Sequence, residues 1–400
     1  MNVKPVFKVV TSVIAYVLHL LLLVMPLHVK ADNLVSSEIW VSTDGDDRSE
    51  GTKEKPFATI HRALSHVREL RRMVNQDELG PVHVVLKGGT YRMDETLRLT
   101  ADDSGTPTSP TIIQANEGED VVLSGGIVVQ GWSEAGDVKG LPTTAKGHIW
   151  KASAPVINGE KLLFRQMWVG NSKMRRASTF DDLSMARIIS ADKKKCELII
   201  PRIEHTFAHP EQLEMIIIQD WVTNVMRVKS IQSVGNRSVL KFKEPESGIE
   251  FKRPWPILRA DESSYSNHMF YLTNAIELLN QPQEWFCDSI SGELYYWPRN
   301  GEETSTLEAV VPVLETLVSV SGEDCDWVEN ITFAGITFAH SSWLRPSLNG
   351  HVPLQAGQWL YDAYTDDASR AGNVAWVGRP SSAVSVSNAR NISFEDCNFR

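Results

Sequence analysis

Four cysteines are few for 400 residues, and they fall at 196, 287, 325 and 397, spaced by 91, 38 and 72 residues. No metal motif has such spacings, so neither a structural metal nor a metal cofactor is expected. Basic charge is also scarce. There are 40 Lys and Arg against 50 Asp and Glu, a formal net charge of −10. The one basic run, Lys193-Lys194-Lys195, is short enough to be a solvated turn. Phosphate binding needs clustered cations, which excludes nucleic acid as a partner. After one amphipathic stretch at 56–72 no long helical pattern occurs, which excludes a doubly wound α/β sheet. With 42% hydrophobic and 22% charged residues, the composition is that of a globular protein and not of a disordered, collagen-like or polytopic membrane chain.

What is present begins with a targeting signal. Met1–Lys8 is basic, Val9–Leu27 is apolar around Leu20-Leu21-Leu22-Leu23, and Val29-Lys30-Ala31 fits a small-residue cleavage site. Read as a membrane anchor, the run is interrupted by His19 and broken by Pro26. The expectation is a signal peptide over 1–31, export to the periplasm, cell surface or medium, and no stable membrane insertion after cleavage. Removing Lys4, Lys8 and Lys30 takes the mature net charge to −13. Cys397 lies in an alternating apolar pattern and reads as a small buried side chain.

Three regions follow. The first, 32–139, opens with a short strand at Ile39-Trp40-Val41 and an acidic turn, Asp44-Gly45-Asp46-Asp47. The turn lacks the downstream Glu of a calcium loop and reads as polar punctuation. Pro56 opens a helix whose Phe57, Ile60, Ala63, Leu64, Val67 and Leu70 share one face. The period then switches to two, with β-branched runs at Val82–Leu86, Thr96–Leu99, Thr111–Ile113 and Val121–Leu123. The second region, 140–306, is strand-rich but less regular, and reads as an inserted all-β unit.

The third region, 307–400, contains a repeat. Val318-Ser319-Val320-Ser321, Asn330-Ile331-Thr332-Phe333 and Ile336-Thr337-Phe338 recur as Val384-Ser385-Val386-Ser387, Asn391-Ile392-Ser393-Phe394 and Cys397-Asn398-Phe399. Such units cannot bury their apolar faces alone. Stacked about 4.8 Å apart they form one continuous core, so the expected fold is all-β, a parallel β-helix with a capping helix. Asn before each Ile suits a left-handed turn position.

The segments Val41-Ser42 through Gly51-Thr52, Pro56-Phe57-Ala58-Thr59-Ile60, and Leu86-Lys87-Gly88-Gly89-Thr90-Tyr91 resemble the entry of right-handed parallel β-helix proteins of the pectate-lyase superfamily. There the short helix plugs the end of the solenoid, where an uncovered rung would expose strand edges. A narrower resemblance rests on Phe164-Arg165-Gln166-Met167-Trp168-Val169, Arg175-Arg176-Ala177, Gln281-Pro282-Gln283-Glu284-Trp285 and Gly335 through Pro346. These are similar to exported bacterial β-helix glycoside hydrolases, closest to glycoside hydrolase family 141, which includes fucosidases and xylanases acting on plant cell-wall glycans. The sequence departs from that pattern at Gln283, where Gly is expected, and at Gly170-Asn171, where Asn-Gly is expected.

The resemblance implies a polysaccharide or oligosaccharide substrate, no cofactor and a monomer. Candidate sugar contacts lie in the long excursion from His340 to Arg379. His340, Trp343, His351 and Gln355 come first, then Arg345, Trp376 and Arg379, with Trp359, Tyr361, Tyr364 and Asp362 alongside. Aromatic faces suit pyranose rings, and imidazole, amide and guanidinium groups suit hydroxyls or uronates. Hydrolysis needs two carboxyl groups flanking the scissile bond. Asp362, Asp366, Asp367, Glu395 and Asp396 do not pair across rungs, and Arg400 ends a rung pattern without a cap. The catalytic carboxylates are therefore expected on rungs beyond residue 400, in a longer protein. A polysaccharide lyase and a non-catalytic glycan-binding solenoid remain alternatives.

Overall fold

The computed structural model describes residues 35–74, 78–180, 184–253, 256–262, 266–354, 358–360 and 377–400. The expected targeting segment 1–31 lies outside them, and no helix among the described residues is long and apolar enough to cross a membrane. The fold is all-β with few helices. Three of its sheets are wholly parallel; the rest are antiparallel or mixed.

The parallel sheets are built by a chain that visits each in turn. The first sheet holds β1 (Val35–Val41), β2 (Leu79–Leu86), β5 (Thr111–Ala115), β8 (Val328–Ala334) and β11 (Ala389–Glu395), side by side in that order. The second holds β3 (Gly89–Arg92), β6 (Val121–Ser124), β9 (Ile336–Ala339) and β12 (Asn398–Phe399). The third holds β4 (Leu97–Leu99), β7 (Val318–Ser321) and β10 (Val384–Ser387). The sequence repeat becomes register: Val318 pairs with Val384, Phe333 with Phe394, and Phe338 with Phe399. Phe333 stacks on Phe394 at 5.1 Å, and Phe338 on Phe399 at 5.0 Å. Asn330 and Asn391 both take left-handed φ, 54° and 56°, and their side chains hydrogen-bond at 3.1 Å. Val82, Val84, Leu86, Ile113, Val320, Ile331, Phe333 and Ile336 share one buried core inside the three sheets.

Helix α1 (Ile60–Met73) covers this core with Ile60, Ala63, Leu64 and Val67. Burying those four side chains contributes on the order of 5–10 kcal/mol. It starts later than Pro56 because Phe57 pairs with Val41 and Thr59 caps the helix, accepting from the Arg62 N–H at 3.1 Å. The acidic turn does polar work: the Asp47 carboxylate accepts from the Ala58 and Thr59 N–H groups, each at 2.8 Å. Arg68 clips the helix to buried Asp103 through two bonds, 2.7 and 2.8 Å. All four cysteines are free thiols, and half-buried Cys397 donates to the Phe333 carbonyl.

The chain leaves the parallel sheets after Ser124 and rejoins them at Val318, an excursion that encloses the expected inserted unit 140–306. Its outgoing strand Gly126–Val129 pairs antiparallel with its returning strand Ala309–Pro312, and this neck brings the chain back to its starting point. Beyond the neck lie a five-stranded mixed sheet and a seven-stranded antiparallel sheet. A second excursion leaves after Ala339 and returns at Val384. Ala339 is the register partner of Ser124, so the two excursions depart from one corner on adjacent circuits.

Candidate active-site cleft

The corner itself is tightly packed. A Cβ at Gly126 would lie 2.5 Å from Val310 and 3.0 Å from the His340 Cβ, so only glycine fits. His340 takes φ 59°, shares a 2.8 Å hydrogen bond through Nδ1 with the Ser124 hydroxyl, and meets the Trp168 ring edge-on at 5.1 Å. Burial, then Arg400 and Arg92, draws its ring down to about 4, so it is neutral at pH 7.

The second excursion is fastened near both ends and at its short helix. Glu315 accepts from the Leu344 N–H and the Ser381 hydroxyl, each at 2.8 Å. Helix α3 (Arg345–Asn349), which follows α2 (Glu246–Lys252), is bound by Arg165 to the Ser347 hydroxyl and by Arg227 to the Leu348 carbonyl. His351 and Val225 exchange backbone hydrogen bonds of 2.8 and 2.9 Å.

Between the excursions sits Glu214, 3% exposed. It receives Arg165 at 2.6 Å on Oε1, Arg176 at 2.9 Å on Oε2, and the Ser347 hydroxyl at 2.9 Å on Oε1. Burial alone would raise its carboxyl, but Arg176 and Arg165 outweigh that and bring it down to about 2. Such a group stays ionised and has no proton to give. It is a fastening between the two excursions and not a general acid.

In front of it opens a cleft of about 400 Å³ lined by Arg165, Gln166, Lys173, Arg175, Arg176, Phe180, Tyr271 and Trp343, among others. The Gln166 amide, oriented to satisfy both neighbours, donates to the Ser341 carbonyl at 2.8 Å and accepts from Lys173 at 3.0 Å. Arg175 lies 5.4 Å over the Phe180 ring, and Phe180 meets Tyr271 edge-on at 5.1 Å.

Of the residues singled out from sequence, Trp343 alone among the described ones lines this cleft. His351 is 9% exposed, is drawn down to about 4 chiefly by burial, and backs Trp343 edge-on at 4.8 Å. His340 is 8% exposed behind Trp168. Neither imidazole lines this cleft, and each packs one excursion against the other. Arg345 stacks on the Trp359 ring at 3.1 Å, and Arg379 is exposed beside the strand Val377–Gly378. Gln355, Trp376, Tyr361, Asp362, Tyr364, Asp366 and Asp367 lie outside the described residues. Glu395 ends β11, and Asp396 occupies a turn at φ 50°. The cleft residues missed as a site, Arg165, Gln166, Arg175 and Arg176, stood inside the sequence phrases that carried the family resemblance.

Comparison with known proteins fits this geometry. Residues 147–299, the body of the first excursion, match the model of the GH141 insertion domain. Over those residues the chain is similar to the GH141 insertion domain. A solved structure titled "Glycoside hydrolase" is 38% identical and superposes on 90% of this chain with a TM-score of 0.81. Pectate lyase PEL9 of Emericella nidulans (strain FGSC A4) is 33% identical over 92 residues, which is 23% of this chain and 19% of the lyase. Uncharacterized protein YwoF of Bacillus subtilis (strain 168) is 38% identical over 87 residues, 22% of this chain and 15% of that protein. The chain spans 61% of the solved hydrolase's length.

Proposed function

We propose that this chain belongs to an exported glycoside hydrolase built on a right-handed parallel β-helix and acting on a plant cell-wall or other complex polysaccharide. The superposition on a solved glycoside hydrolase over 90% of the chain, at 38% identity, carries the reading. The three parallel sheets traversed in turn, with Phe333 on Phe394 and Phe338 on Phe399, support the solenoid. Bond cleavage is by paired carboxyl groups acting as acid and base. The excursions form one wall of the groove in which those groups act. Trp343 is the sugar platform of that wall, backed by His351, while Arg345, Gln355, Trp376 and Arg379 remain proposed contacts.

The full-length protein, incubated with plant cell-wall glycans, is expected to release reducing ends without ultraviolet absorbance from unsaturated products. Unsaturated products would instead support a lyase, the second reading, favoured by the pectate lyase similarity over 92 residues and the cationic cleft. Binding with neither product would support a non-catalytic glycan-binding solenoid.

A further inference from the structure

We infer that the cleft between the two excursions is a subsite for an anionic sugar residue, one bearing a carboxylate or a sulfate. The inference rests on the reading that a glycan is the substrate, and adds the charge that the glycan carries. The chain as a whole is acidic, at −10. Yet Arg165, Lys173, Arg175 and Arg176 all line one cleft of about 400 Å³, and no described Asp or Glu lines it with them. Glu214, which lines a neighbouring cavity, has both oxygens committed to Arg165 and Arg176, so it offsets part of that charge, while Lys173 and Arg175 are exposed. Asp181 and Asp182 follow Phe180 in sequence and lie outside the described residues.

Structural cations do not need such an arrangement. Arg68 is matched by Asp103 and Arg227 by Glu246, as Arg165 and Arg176 are by Glu214, whereas no ion pair is formed by Lys173 or Arg175 among the described residues. Here the ammonium of Lys173 is positioned by a neutral amide, Gln166, and lies 5.5 Å from the Trp168 ring. Desolvation and the nearby Arg165 push that ammonium below its ordinary value, the direction expected where like charges crowd without a counter-ion. A planar guanidinium beside an ammonium suits a carboxylate or sulfate oxygen set. Trp343, Phe180 and Tyr271 line the same cleft and offer rings to the apolar faces of a sugar.

The test is binding by the full-length protein to three oligosaccharide series: oligogalacturonate, a sulfated galactan oligosaccharide, and neutral xylo-oligosaccharide. Affinity for one or both acidic series is expected to exceed that for the neutral one by about tenfold or more and to fall with added salt. The tighter of the two acidic series identifies the anion. Arg175→Gln and Lys173→Gln, both at exposed positions, are each expected to weaken acidic binding by about tenfold while neutral binding changes less than about twofold. The salt dependence of the unaltered protein needs no variant, so misfolding of either variant leaves the test intact. Equal affinity for the acidic and neutral series, or a double variant that binds acidic sugars as tightly as the parent, would overturn the inference. Failure of the hydrolase reading is distinct: it shows as intact acidic binding without release of reducing ends. Hydrolysis of neutral glycans with no acidic preference sinks only the subsite.

Discussion

Replacing Glu214 with Gln keeps the shape but removes the charge and turns one of the two oxygens that receive Arg165 and Arg176 into an NH2 donor. Arg165 and Arg176, whose side chains are 14% exposed, then face each other across a neutral group. Two routes give the magnitude. A carboxyl drawn from 4.5 to about 2 contributes on the order of 3 kcal/mol to folding. Independently, stripping one partner from a buried ion pair costs about 3–5 kcal/mol. The sign follows from the depressed value. Between 4.5 and about 2 the unfolded chain binds the extra proton, so the contribution is complete above about 4.5 and is lost as pH falls toward 2. Urea unfolding of the parent and Glu214→Gln proteins, at intervals from about pH 7 to pH 3, measures this directly. The gap between them should be about 3 kcal/mol near neutrality and should shrink steadily below about 4.5. A gap under about 1 kcal/mol at pH 7, or one unchanged at pH 3, would refute the account of Glu214 as an ionised fastening.

Three further outcomes follow from other parts of the molecule. Phe333→Ala empties a fully buried site between Phe338 and Phe394, and should cost about 3–5 kcal/mol, read as a lowered midpoint in urea. Asp103→Asn, which takes the charge from the two bonds to Arg68, should cost about 1.5–3 kcal/mol; an unaltered midpoint would mean that α1 is held by its apolar face alone. The imidazoles of His340 and His351, each drawn down to about 4, should titrate near that value in a proton NMR pH series. Because the unfolded rings accept protons near 6.5, stability should fall as pH drops from about 6.5 to about 4. Titration near 6.5 would show that the rings are solvated.

Much of this architecture was readable from side-chain alternation. Each short β-branched run quoted from 82–123 and 318–399 became a strand of the parallel sheets, and the repeated Val-Ser-Val-Ser and Phe positions paired with their own copies. The left-handed Asn330 and Asn391 followed from residue type. The excursion boundaries were not readable, because Gly126–Val129 looks like one more short strand. Its partner, Ala309–Pro312, lies some 180 residues away, and a period of two says nothing about partners. The candidate site was legible by composition and not by position. His340 and His351 have the chemistry of sugar contacts, but their burial depends on Trp168, Trp343 and Val225, which reach them only after both excursions fold back. For the same reason Arg165, Lys173, Arg175 and Arg176 form no cluster with Trp343 until the neck returns.

The shared corner at Ser124 and Ala339 has one more consequence. Because neighbouring strands keep a fixed separation of about 4.8 Å, any two segments that depart from this edge on consecutive circuits emerge side by side, whatever their lengths or sequences. The edge therefore works as a jig. Lengthening either segment adds material to a common wall without disturbing the stacked strands, since enlarging a loop costs little beyond a logarithm of its size. Recognition surfaces of very different shape can thus be grown from one unchanging scaffold by altering what is threaded through a single position.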